Sequence, residues 1–134
     1  MSRENVVVVR RCTDAWNRGD VDAWLQWCHP EIEWFSAIAG RVEGTETVYR
    51  GPAGMRRFWE EWHSVWDLTI EVSEIRDLGD TVLALGRIRT RGAASGIDLA
   101  SAIGYVFEFD SGLIRKIRAY LDREQALEAV GLRE

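Results

Sequence analysis

The segment IRAYLDREQALEAVGL, residues 117–132, carries an acid, Asp122, where a strand-like run gives way to a helix-like one. A carboxylate at such a junction either moves protons or caps the helix. Gln125 follows three residues later, and that capping-box spacing favours the cap. Arg87, Arg89 and Arg91 recur with period two, so they share one face of a strand. Facing inward, one of them clamps a ligand carboxylate with its planar fork; facing outward, they decorate a solvent or dimer surface. His63 borders the apolar side of a helix, about a turn beyond Trp59. It is either an acid–base group reaching into a cavity or a satisfied helix residue. Asp14 and Glu33 lean outward by helix and strand parity, and Asp98 falls at an edge or rim. Tyr49, in VYRG, either walls a pocket or packs its loop down. The two histidines and two cysteines, Cys12 and Cys28, are scattered without metal-ligand spacing, so neither a metal nor a cofactor is expected. Seven tryptophans stand at 16, 24, 27, 34, 59, 62 and 66, all in the first half. Such a cluster either walls a ligand cavity or fills a core.

The elements that would position these groups form one domain over residues 1–134, with no linker, repeat or low-complexity stretch. The net charge of −5 leaves no basic excess for a nucleic-acid backbone. No apolar run approaches a membrane span, and the valine run at 6–9 is too short for a signal peptide. A cytoplasmic protein with reduced cysteines is expected. Residues 3–17 read as a helix capped by Ser2, with Val9, Cys12 and Trp16 on one stripe. Gly19 ends it and Asp20 caps a second helix carrying Val21, Trp24, Leu25 and Cys28. A short strand follows at 31–36, then a loop or irregular hairpin at 36–51 long enough to serve as a lid. Pro52 opens a third helix whose apolar face is Met55, Phe58, Trp59, Trp62 and Trp66. Four strand-like runs, LTIEVSEIRDL, TVLALGRIRTR, IDLASAIGYVFEFD and LIRKIRAYL, complete the chain before a final short helix. The fold class is therefore α+β: a curved antiparallel sheet, with a four-strand meander and short N-terminal strands, under three helices on its concave face. A conical pocket between the layers is the expected site of any chemistry.

The stretches AWNRGDVDAW, HPEIEW, VYRGPAGMRRFW, LGDTVLAL, RGAASGIDL and FEFDSGLIRKIRAYLDREQALEAVGL together resemble the SnoaL-like branch of the nuclear-transport-factor-2-like fold. That fold carries ketosteroid isomerases, limonene epoxide hydrolases, polyketide cyclases, dehydratases and noncatalytic binding or assembly domains, so the resemblance implies a scaffold more than a reaction. Ketosteroid isomerases use an aspartate base with a tyrosine and a protonated aspartate as oxyanion hole. The resemblance places Cys12 at the tyrosine, Phe35 or Ser36 at the base and Gly104 or Tyr105 at the second aspartate, recovering no carboxylate. Cyclases and epoxide hydrolases of this type place an acid on the last strand, and the matching position is Ala119. Strand parity agrees: Leu113, Ile117, Ala119 and Leu121 should face the cavity, while Ile114, Lys116, Arg118, Tyr120 and Asp122 face outward. Arg115 breaks this pattern. Tyr105 stands where the cyclases carry an assisting histidine, and RIRTR lacks the acid that completes the hydrolases' Arg–Asp pair.

The expected function is binding of a small hydrophobic molecule in a pocket formed by Cys12, Trp16, Trp34, Tyr49, Trp59, Trp62, Tyr105, Ile117 and Ala119. The alternative is a metal-free cyclase, isomerase or dehydratase with non-standard acid–base residues, for which Tyr105, His63 and Arg87 are the candidates. A third possibility is a dimeric assembly module, since the resemblance implies a homodimer through the sheet's outer face. No nucleic-acid or membrane partner is expected.

Overall fold

The computed structural model describes residues 2–36, 48–63, 66–92 and 98–132. Along the chain run α1 (Ser2–Arg18), α2 (Val21–Leu25), β1 (Cys28–Phe35), β2 (Val48–Arg50) and α3 (Gly51–His63). They are followed by β3 (Trp66–Asp77), β4 (Thr81–Gly92), β5 (Asp98–Asp110), β6 (Leu113–Tyr120) and α4 (Arg123–Ala129). The strands form one six-stranded sheet in the order β2-β1-β6-β5-β4-β3. All pairs are antiparallel except β1–β6. The expected α+β class and meander are present.

Helices α1, α2 and α3 share a core with one sheet face, built on Val9, Cys12, Trp16, Trp24, Phe58 and the inward side chains of β4 to β6. The fourth helix packs on the opposite face. Ala126 and Leu127 of α4 close over Leu83, Leu85 and Val106, the alternate residues of β4 and β5. Gly104 makes that docking possible: a Cβ there would stand 2.5 Å from the Ala126 methyl. Asp122 is the N-cap of α4 and accepts from the Glu124 amide at 2.8 Å. The capping reading of this acid agrees with that geometry.

Edge strand β3 is fastened to α1 by polar side chains. The Trp16 indole donates to the Leu68 carbonyl at 2.8 Å. The Asn17 amide donates to the Ile70 carbonyl at 2.7 Å and accepts from the Ile70 amide at 2.8 Å. Asn5 donates to the Gly79 carbonyl at 3.1 Å. The contacts at Leu68 and Ile70 occupy hydrogen-bonding groups that an outermost strand otherwise leaves open, and the bond to Gly79 holds the turn after β3.

Two helix boundaries differ from expectation. Cys28 begins β1 instead of ending α2. The reason is the parallel partner: the Ile114 amide donates to the Trp27 carbonyl at 2.8 Å, and Cys28 pairs with Ile114, so β6 draws the chain into strand. Trp66 belongs to β3, where its backbone pairs with Gly92, and α3 stops at His63. Register shifts bend the sheet in several places. In β3 the shift lies between Val72 and Glu74, opposite Gly86, where a Cβ would meet the Glu71 carbonyl oxygen at 1.9 Å. In β6, Lys116 pairs with Glu108 but Ile114 pairs with the next residue, Phe109, so Arg115 is the extra residue of a bulge. That inverts the parity upstream of it: Ile114 is buried in the main core and does not face outward.

Candidate functional site

A cavity lies between the three helices and the sheet. From α1 it takes Cys12, Thr13 and Trp16, from α2 Trp24, and from α3 Met55 and Phe58. Strand β1 supplies Cys28 and Trp34, with Ser36 just beyond it, and β3 supplies Leu68 and Ile70. Ile88 comes from β4, Ile103, Tyr105 and Phe107 from β5, and Ile114, Ile117 and Ala119 from β6. The period-two series on β5 and the Ile117–Ala119 pair are the pleat delivering alternate residues to one face. The enclosed free space is about 60 Å³. That is well under the roughly 150 Å³ of an engineered apolar cavity that takes up benzene.

The structure gathers Cys12, Trp16, Trp34, Tyr105, Ile117 and Ala119 on this wall. Three other residues expected there are buried outside it. Tyr49 packs edge-on against Phe58 and donates its hydroxyl to Glu61 at 3.0 Å. Trp59 packs against Trp16 and Trp24, and Trp62 lies against Phe58. Helix α3 buries a face too wide for all its rings to reach the cavity, and Met55 and Phe58 hold the inward positions. His63 is also elsewhere. Its ring stacks on Trp59 with centroids 4.0 Å apart, and Nδ1 lies 3.1 Å from the Trp59 carbonyl oxygen. Arg87 is exposed on the outer face, as is Arg89, which pairs with Glu71 at 2.8 Å. The parity of β4 requires this, because Ala84 and Ile88 take the inward side. Glu33 pairs with Arg50 at 2.6 Å on the surface, and Asp14 is exposed. The side chains of Arg91 and Asp98, and the 37–47 part of the expected lid, lie outside the described residues.

Sequence reasoning missed several lining residues. Met55 and Phe58 were already assigned to the apolar face of α3, and Ile103 and Phe107 share the parity of Tyr105; that alternation is a signal the sequence carries. Leu68 and Ile70 carry the same alternation on β3, whereas Thr13 carries no such signal and meets the cavity only through the seating of α1 on β3.

The cavity is aromatic and uncharged. Among its described lining residues there is no carboxylate, imidazole, lysine or arginine. Both thiols are turned to the same acceptor, with Cys12 Sγ 3.9 Å and Cys28 Sγ 4.0 Å from the Trp24 carbonyl oxygen. Burial pushes the Cys28 thiol up to about 12. Burial, with the neighbouring Cys28 as a lesser cause, pushes Cys12 higher still. Burial likewise raises Tyr105 well above the usual phenol value, so it stays protonated and acts as a donor. Its ring stacks on Trp34, with centroids 5.8 Å apart at 29°. The Trp34 Nε1 is buried with no hydrogen-bond partner. Among the described residues no group of three His, Cys, Asp or Glu side chains could hold a metal ion. No helix among them is long and apolar enough to cross a membrane.

The profile of the SnoaL-like domain matches residues 9–117. No curated relative matches the chain. Among solved structures, a nuclear-transport-factor-2-like protein of unknown function from Burkholderia pseudomallei is 18% identical, covers 96% of both chains and superposes with a TM-score of 0.81. TerC, co-crystallised with polyporic acid, is 18% identical over 89% of this chain and 92% of its own, with a TM-score of 0.79. A protein from Xanthomonas campestris pv. campestris, described as a candidate polyketide cyclase, is 18% identical over 96% of this chain and 98% of its own, with a TM-score of 0.75. At these identities the three structures establish a shared fold.

Proposed function

The chain belongs to the SnoaL-like domain family, and from that premise we propose that it binds one small, uncharged, largely apolar molecule bearing a hydrogen-bond acceptor. The observation that carries this reading is the polar inventory of the cavity wall. One donor is left without a partner, the buried Trp34 N–H; the Tyr105 hydroxyl, held protonated, lines the same wall, and no charged group stands among the described lining residues to meet an ion. An unpartnered buried donor costs about 1–3 kcal/mol, which a ligand carbonyl, ether or epoxide oxygen would recover. A carboxylate or an ammonium would be buried there without a counter-ion among the described lining residues. The free space is small, so the ligand enters by displacing side chains; Met55, unbranched and adaptable, is the first to give way. TerC, crystallised with polyporic acid, supports an organic ligand on this scaffold.

A cyclase or isomerase reading takes second place. It is favoured by Tyr105, a fixed donor directly opposite Ala119 in the sheet, able to stabilise a developing oxyanion. It lacks a base among the described lining residues.

The test is a thermal-shift and tryptophan-fluorescence panel of a neutral anthraquinone, a sterol ketone, a terpenoid epoxide and a long-chain fatty acid. Saturable stabilisation by a carbonyl or epoxide compound is the expected result, weakened about tenfold in both Tyr105→Phe and Trp34→Phe. Selective binding of the fatty acid, or equal affinity in both variants, would overturn the donor assignment.

A further inference from the structure

We infer that the cavity opens to solvent through the seam between α1 and β3. A groove of about 190 Å³ lies on the outside of that seam, lined by Arg10, Thr13, Asp14, Asn17 and the strand residues Ile70, Val72 and Ile75. Thr13 and Ile70 also line the cavity, so those two side chains form the partition between the inner and outer spaces. Strand β3 is the outermost strand on this side of the sheet, and α1 is what covers it. Beside the partition the closure is polar and local: the two-bond clasp of Asn17 on the Ile70 backbone. A clasp of exposed hydrogen bonds opens more cheaply than an interdigitated core, because water replaces each bond as it breaks. The groove beyond it has an apolar floor and a rim carrying both charges, Arg10 and Asp14. It therefore serves as a vestibule in which a molecule sheds water stepwise before passing Thr13. The inference gives the ligand-binding reading its route, but its own test needs no ligand.

Cys12 lines the cavity and is buried, so its reaction with a small thiol reagent, located to its own peptide, reports access; Cys28, the other cysteine, is half-buried and is read separately. The full-length chain is treated with methyl methanethiosulfonate across sub-denaturing urea, and labelling is followed by mass. Asn17→Ala removes the clasp, and Thr13→Ala opens the partition with a residue that favours the helix. Asn5→Ala removes a different tether of α1, the bond to the Gly79 carbonyl in the turn after β3, away from the partition. Both seam variants should label roughly tenfold faster than wild type, with the shallow urea dependence of a local opening, while Asn5→Ala stays near wild type. Labelling that ignores the seam variants, rises equally in Asn5→Ala, or follows the urea dependence of global unfolding would place the entrance elsewhere. If labelling tracks the seam while the ligand panel shows no binding, the route stands and the ligand reading fails; the opposite pair of results separates them the other way.

Discussion

Replacing Ala119 by aspartate tests the central physical claim, that this is an uncharged cavity which penalises a carboxylate. Ala119 lines the cavity and pairs directly across the sheet with Tyr105, whose ring stacks on Trp34. Directly opposed residues hold their Cβ atoms about 4.5–5.5 Å apart, so the new carboxylate stands beside the tyrosine ring at a half-buried position. Removing a carboxylate from water costs several kcal/mol even after relaxation. One charge-assisted bond from a neighbouring donor returns about 1.5–3 kcal/mol. The balance for Ala119→Asp is a loss of about 2 kcal/mol near neutral pH, equivalent to a carboxyl raised by about 1.5 units. The sign of the pH dependence follows. A folded-state value above the unfolded one means that the folded chain holds its proton longer. The penalty is then small below about pH 4, grows as pH rises through the raised value, and is constant above it. Urea unfolding of variant and wild type at about pH 4.5 and about pH 7.5 isolates this group, because the other carboxylates cancel in the difference. A variant as stable as wild type at the higher pH, with a difference that does not move, would mean that residue 119 meets water and that the cavity wall is not dry.

Three further outcomes follow from particular contacts. Gly86→Ala forces a Cβ to within 1.9 Å of the Glu71 carbonyl oxygen, which is backbone and cannot rotate away. It should cost about 3 kcal/mol or more by chemical denaturation, and a near-neutral result would remove the close crossing of β3 and β4. Asp122→Ala removes the cap of α4 and should cost about 1 kcal/mol, with Asp122→Asn close to wild type; equal losses in both would show that charge matters more than the hydrogen bond. Cys12 and Cys28 are held protonated by burial, and the Cys28 thiol stands at about 12. Their raised folded values make stability full below about pH 8 and decreasing above it, by up to about 1.4 kcal/mol per pH unit for each thiol. The double Cys→Ala variant should flatten unfolding profiles taken between about pH 8 and 10, and an unchanged slope would show that the thiols are solvated.

The architecture was legible because its signals are periodic and redundant. Alternation on β4 and β5, the helical stripe of α1, and the Asp122 cap each depend on a few neighbouring residues, so local pattern decides them. What failed depended on something distant or on a single inserted residue. Arg115 looked like an interruption on an apolar strand face; it is the bulge, and it turns Ile114 inward. Cys28 fitted a helical spacing, yet its parallel partner in β6 comes from a segment more than eighty residues later and takes it into a strand. Trp59 and Trp62 are as apolar as Phe58, so composition could not tell which ring of α3 would face the cavity; the structure puts Met55 and Phe58 there. Arg87 was readable only once the register of β4 placed Ala84 and Ile88 inward. The cavity's neutrality was visible at Ala119 and Tyr105, but its full lining was not, since Thr13 reaches it only through the docking of α1.

The same neutrality bears on catalysis. A proton-transfer enzyme near neutral pH needs a group whose value lies close to the working pH. The titratable groups on the described wall are two thiols and one phenol, all pushed upward by burial. None is a base there, and each is a donor. His63, the one imidazole close to the cavity, is stacked on Trp59 and sits behind the wall. The described wall therefore offers a reaction only hydrogen bonds to an oxygen that gains charge. Binding asks less of the same residues: the unpaired Trp34 N–H and the Tyr105 hydroxyl can give one oriented contact each, the aromatic wall gives area, and no charge has to be made beside a described wall that carries none.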